Sequence, residues 1–170
     1  MTPEFEKQIL VAGVGNAWMQ DDGFGSEVAQ RLERRDLPSG VTVMDFGSGG
    51  LDLAYEIMRG YHALVLIDVS RQGGEPGTLY VIEPEVGDEQ GMPDAHGMDP
   101  VQVLALAKAM GTTPPRTLVV GCEPQTRMSA DDEEIVAALS EPVRAALDEA
   151  VRLVESVLDE LTNEQEDGPS

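Results

Sequence analysis

The chain has 170 residues, 41% of them hydrophobic, one cysteine, and a formal net charge of −21 from 32 acidic and 11 basic side chains. That length suits one domain with a real core, and the lone thiol, Cys122, excludes an intrachain disulfide and points to the cytoplasm. Scattered basic residues exclude a phosphate-tracking nucleic-acid face, no apolar run of about 18 residues is present to span a membrane, and the acidic start Met1–Lys7 lacks the apolar centre of a secretory signal.

Ile9–Ala12 reads as a short buried strand. It runs into Gly13-Val-Gly-Asn-Ala-Trp-Met-Gln-Asp-Asp-Gly-Phe-Gly25. Gly13 and Gly15 permit a tight turn and close backbone approach. Asp21 and Asp22 then stand at a helix start, where a metal, a ligand or the helix N-terminus could use them. The helix follows, with Phe24, Val28 and Leu32 at helical spacing. Val41–Asp45 is a second strand, followed by the glycine turn Gly47-Ser-Gly-Gly and a helix bearing Leu51, Ala54, Tyr55 and Met58. Ala63–Ile67 is a third strand, ending at Asp68.

Thr78–Ile82 is a fourth strand, only about ten residues beyond the third and so too close for a helical crossover. It is expected at an edge and antiparallel. The loop Gly87–Asp99 holds His96, and Pro100 suits the start of a helix bearing Val101, Leu104, Ala105 and Lys108. Thr117–Val120 is the fifth strand. Ser129 caps a helix with acids in its first turn. Pro142 restarts another, with the stripe Val143, Leu147, Ala150, Val154, Leu158 and Leu161 packed into the core. Residues 1–161 read as one domain and 162–170 as a flexible acidic tail. The fold class is α/β: a three-layer sandwich with a twisted five-stranded, mostly parallel sheet, one antiparallel edge strand, and helices on both faces.

Ligands of open α/β sheets bind beyond the carboxyl ends of the strands, where strand order reverses. A 2-1-3 start makes strands one and three neighbours there. Asp22 and Asp68 then share a crevice, and the loop of His96 can reach over it. Two carboxylates and an imidazole suit nickel, zinc, cobalt or manganese, with positions left open for water or substrate. The bland readings are a helix cap for Asp22, a turn hydrogen bond for Asp68 and a solvated loop residue for His96. Gly47, Ser48 and Gly49 could let a substrate backbone approach, or simply make a turn. Cys122 reads as a packed thiol rather than a nucleophile, and His62 as structural. No Gly-x-Ser-x-Gly elbow or His-Glu-x-x-His helix is present, which disfavours serine hydrolases and zincins.

Gly-x-Gly-Asn followed by Asp-Asp-Gly-x-Gly resembles the opening of the maturation endopeptidases of nickel–iron hydrogenases. The similarity continues through Phe46–Leu53, Leu64–Asp68, Gly77–Thr78, His96–Ala105 and Val119–Pro124. The resemblance implies a hydrolase, an endopeptidase of carboxylate type, that cuts a C-terminal extension from a hydrogenase large-subunit precursor after nickel insertion. It implies Asp22, Asp68 and His96 as the metal-contacting and catalytic set, with Gly47, Ser48 and Gly49 at the substrate. Nickel is then supplied by the substrate, and zinc or cadmium could take its place in vitro. The first ligand is often Glu in that family, so Asp21 remains an alternative to Asp22. The expected partner is the large-subunit precursor, with the protease a monomer and neither nucleic acid nor membrane involved. Two other readings stand beside this one. The first is a non-catalytic nickel or hydrogenase assembly factor. The second is a Rossmann-like nucleotide-binding enzyme, favoured by Asp45 at the end of strand two but opposed by Trp18 where a third glycine belongs.

Overall fold

All five apolar runs form strands: Ile9–Val14 (β1), Val41–Gly47 (β2), Ala63–Val69 (β3), Leu79–Ile82 (β4) and Arg116–Cys122 (β5). The structure, a computed structural model, describes residues 8–15, 20–84, 100–112, 115–125 and 139–166. The strands make one sheet in the order β2-β1-β3-β5-β4. β1 pairs parallel with β2 and β3, and β3 parallel with β5. β4 pairs antiparallel with β5 at an edge, as its short connection requires.

The sheet is covered on both faces. Side chains alternate along β1: Ile9 and Val11 enter one core, Leu10, Ala12 and Val14 the other. The first core is closed by the helices Phe24–Glu33 (α1), Glu141–Ala145 (α4) and Leu147–Glu166 (α5). The second is closed by Gly50–Ile57 (α2) and Pro100–Ala109 (α3). The central strand β1, and β3 as far as Ile67, are apolar because both of their faces are covered.

The stripe begun after Pro142 is confirmed: Val143, Leu147, Ala150, Val154, Leu158 and Leu161 are all buried. The helix is interrupted at Ala146, and α5 then continues to Glu166, five residues past Leu161. On the surface Arg31 bridges to Asp148 at 2.8 Å and Arg35 to Glu155 at 2.7 Å, joining α1 to α5.

Both helices marked by spacing alone, α2 and α3, are present, but they bury only some of the residues that marked them. On α2 the buried side is Gly50, Leu53, Ala54 and Ile57, while Leu51, Tyr55 and Met58 remain exposed. This helix is apolar on two sides, and the spacing alone fits either one. On α3 the buried residues are Val103, Leu104, Leu106 and Ala107, while Ala105 is half-buried and Lys108 exposed. There too a nearly all-apolar helix gives periodicity little to choose from. The helix expected after Ser129 lies outside the described residues.

Candidate functional site

The glycines after β1 are packing devices that deliver two carboxylates. A Cβ on Gly25 would collide with the main-chain oxygens of Ile67 and Val14, and one on Gly13 with the main-chain oxygen of Gly25. The first turn of α1 therefore rests directly on the ends of β1 and β3. Gly15 has φ +129°, and a Cβ there would collide with the main-chain oxygen of Asp22 and lie 3.4 Å from Asp68 Oδ1. Only glycine meets both demands. Gln20–Gly23 then forms a 3-10 turn leading into α1, with Asp21 and Asp22 on it.

The two aspartates diverge. Asp21 is buried, and its carboxylate accepts three hydrogen bonds: from Ser140 N–H at 2.7 Å, Ser140 O–H at 2.8 Å and Gln125 N–H at 2.9 Å. It ties the turn to the segments after β5 and before α4. Asp21 is thus a structural latch. Asp22 is half-buried and faces the Arg71 guanidinium across 4.0 Å. Burial pushes its carboxyl above the usual range, Arg71 pulls it back, and Asp21 adds a push upward.

Asp68 lies at the end of β3, one strand over from β1, and is 7% exposed. Its Oδ1 accepts the N–H of Val69 at 2.7 Å. The main chain of Asp22 and the carboxylate of Asp68 thus both lie close to Gly15, beyond the end of β1 and at the end of its neighbour β3, as the 2-1-3 order demands. The rim beside them is the turn Gly47–Gly49. The Gly15 N–H donates to the Gly47 oxygen at 2.9 Å, and the Gly49 N–H to the Phe46 oxygen at 2.8 Å. Ser48 is exposed there.

Asp45 is no ribose ligand. Its Oδ1 accepts the Ser26 hydroxyl at 2.7 Å and the Gly47 N–H at 3.0 Å, closing the turn after β2. With Gly13 and Gly25 serving close packing, the nucleotide reading loses both its acidic residue and its phosphate cradle.

Glu123 was missed in the sequence. It follows β5 and is 6% exposed, and its Oε1 accepts the N–H groups of Gln72 and Gly74 at 2.8 and 3.0 Å and the Tyr80 hydroxyl at 2.8 Å. Burial alone would raise this carboxyl, but the bonds from Tyr80 and the loop N–H groups prevail and hold it below its usual value. Glu123 therefore fixes the β3–β4 loop that carries Arg71. A carboxylate directly at the end of a buried strand, ahead of Pro124, was the available signal.

Cys122 is fully buried, and its thiol lies against the Glu123 main-chain oxygen at 3.8 Å. Burial first, then Asp21 and Glu123, push its pKa up to about 12. Such a group is a packed thiol and no nucleophile. His62 is exposed at the opposite end of β3. His96, its loop and Trp18 lie outside the described residues. Among the described residues no three His, Cys, Asp or Glu side chains gather as a metal site, and no helix is long and apolar enough to cross a membrane.

This construction matches known proteins. The family model for hydrogenase maturation protease matches residues 26–157. A hydrogenase expression/formation protein of Azotobacter chroococcum is 35% identical over 156 residues, covering 89% of this chain and 72% of its own. A putative hydrogenase maturation protease of Methanocaldococcus jannaschii is 31% identical, covering 88% and 95%. Among solved structures, the hydrogenase maturating endopeptidase HybD from Escherichia coli superimposes with a TM-score of 0.69 at 26% identity, over 90% of this chain and 93% of that one. The hydrogenase 2 maturation peptidase of a Thaumarchaeota archaeon gives 0.66 at 32% identity, over 90% and 99%. The family model covers most of the chain and the relatives are similar over nearly all of it, and the chain belongs to the hydrogenase maturation protease family.

Proposed function

We propose that this protein removes a C-terminal extension from the large-subunit precursor of a nickel–iron hydrogenase, and that it recognises nickel already held by that precursor through Asp22, Asp68 and His96. One observation carries the reading. Of two adjacent carboxylates, Asp21 accepts three backbone and hydroxyl donors, while Asp22 is half-buried beside Arg71 in the turn after β1, next to the strand whose end carries Asp68. Carboxylates with an imidazole suit nickel. A set of three leaves positions that the precursor's own groups can fill.

The attacking group in this reading is water. Cys122 stays protonated and enclosed, and no serine elbow is present. A carboxylate of the pair takes the proton from water while the scissile carbonyl is polarised by the nickel of the substrate. Gly47–Gly49 lets the peptide backbone come close at the rim. Nickel on the substrate adds coordination energy that a nickel-free precursor lacks, so the metal discriminates the two forms.

Intact-mass measurement of nickel-loaded and nickel-free precursor tests this. The loaded form should shorten and the empty form should not. Equal cleavage of both would sink the nickel reading and leave a peptidase that reads only peptide. No cleavage of either, with binding intact, would favour an assembly factor. Asp22→Glu should retain some activity because the carboxylate survives, and His96→Ala should lose nearly all.

A further inference from the structure

Beyond its buried side, α2 carries a second apolar stripe. Leu51, Tyr55 and Met58 recur at i, i+4 and i+7 and remain 44%, 55% and 37% exposed. Residues at that spacing share one helix face, here over about 10 Å. They are three of the four exposed large hydrophobics among the described residues; the fourth, Val81, sits on edge strand β4. The flank of α2 toward Tyr61 is already closed, since Glu56 accepts the Tyr61 hydroxyl at 2.6 Å and Arg59 at 3.3 Å. The stripe occupies a different side, and among the described residues no such hydrogen-bonded pair closes it. A clustered apolar strip on a chain of net charge −21 marks a contact surface.

The stripe begins at the site. Leu51 stands in the first turn of α2, just after Gly47–Gly49, and the Gly47 oxygen binds the N–H of Gly15. Gly15 in turn lies close to the main chain of Asp22 and the carboxylate of Asp68. The Leu51 end of the strip therefore lies near the carboxyl edge that carries Asp68, and the strip runs from there along α2 toward the opposite edge.

We infer that Leu51, Tyr55 and Met58 dock the folded body of the protein substrate whose tail enters the crevice; this rests on the processing function proposed above. A second copy of this chain fits less well. Three half-exposed side chains supply far less than the roughly 800 Å² per partner of a stable dimer. A substrate already seated in the crevice covers the rim and the strip together and reaches a larger area. Tyr55, with its apolar ring and polar tip, has the chemistry of an interface anchor.

The test is steady-state cleavage of nickel-loaded precursor by the wild type and by a Tyr55→Ser/Met58→Ser double variant. The changes are on the surface, and a matching melting temperature confirms folding. KM should rise about tenfold, as loss of a buried anchor implies, with kcat changed less than about twofold. Unchanged KM would overturn docking while leaving the processing function intact. Wild-type protein that shortens no precursor would remove the processing function and docking with it. A wild-type dimer in sedimentation that the double variant dissociates would assign the strip to self-association instead.

Discussion

Asp21 holds Ser140 twice, through its backbone N–H at 2.7 Å and its hydroxyl at 2.8 Å. With Gln125 this makes one buried carboxylate the meeting point of three chain segments. Asp21→Ala leaves those donors unmatched, and each unmatched buried donor costs about 1–3 kcal/mol. The expected loss is about 3 kcal/mol in urea unfolding. Asp21→Asn should also destabilise, because its amide turns N–H groups toward donors. Asp22→Ala, one residue on, should leave unfolding nearly unchanged. Equal effects at the two positions would contradict the division of roles.

That division was invisible in the sequence. Asp21-Asp22 reads as two equivalent acids, and only the distant positions of Gln125 and Ser140, 104 and 119 residues away, separate them. The strands were legible because both sheet faces are covered, so each core strand is a plain apolar run. The order of β1, β2 and β3 followed from chain rules, and β4 from its short connection. The outward face of α2 was not legible. Two apolar stripes satisfy the same period, and burial depends on which one meets the sheet. Glu123 was hidden for another reason: its partners lie in a loop about 50 residues earlier, and nothing local announces them.

The glycines separate two kinds of constraint. Gly25→Ala puts a methyl group into the Ile67 and Val14 main chains, which cannot yield without moving α1 off the sheet. This variant should fail to fold or lose several kcal/mol. Gly60→Ala meets nothing within 4 Å and bears only the strain of φ +101°, worth about 1–2 kcal/mol. Denaturation midpoints of the two variants check the order. A milder Gly25 variant would refute the close contact of helix and strand.

Cys122 should resist alkylation. Its pKa near 12 keeps the thiol protonated at neutral pH, and burial blocks access. Iodoacetamide at pH 8 should modify it only after unfolding, and Cys122→Ala should still process precursor. The sign of the linked stability also follows. The folded thiol holds its proton to higher pH than the unfolded one, whose ordinary value is 9.0. Its contribution is complete below about pH 9 and is lost as pH rises toward 12. Cys122→Ala should therefore flatten the alkaline fall in stability.

Asp22 should show the opposite relation between site and stability. Burial raises its pKa, so its ionised form costs the fold something at neutral pH. Asp22→Asn should be as stable as wild type or slightly more so at pH 7, the gain disappearing as pH falls through the Asp22 titration. The same variant should lose divalent-metal binding and processing. A clear destabilisation at pH 7 would mean that Asp22 is a structural cap.

Arg71 should act as a placeholder cation at Asp22. It faces that carboxylate across 4.0 Å from the loop that Glu123 fixes. A metal approaching Asp22 competes with the guanidinium. Where Asp22 is ionised, Arg71→Gln removes that competitor. Cadmium or nickel affinity by calorimetry should then rise about threefold, the scale of an exposed ion pair. The gain should fade in high salt, which screens the pair in wild type already. At acid pH the sign reverses. Arg71 lowers the Asp22 pKa, so without it protons hold the carboxylate to higher pH and metal binding weakens earlier. The affinity–pH curves of wild type and Arg71→Gln should therefore cross. Parallel curves would show that Arg71 does not act through Asp22, and weaker binding in the variant at every pH would make Arg71 a support of the site rather than its competitor.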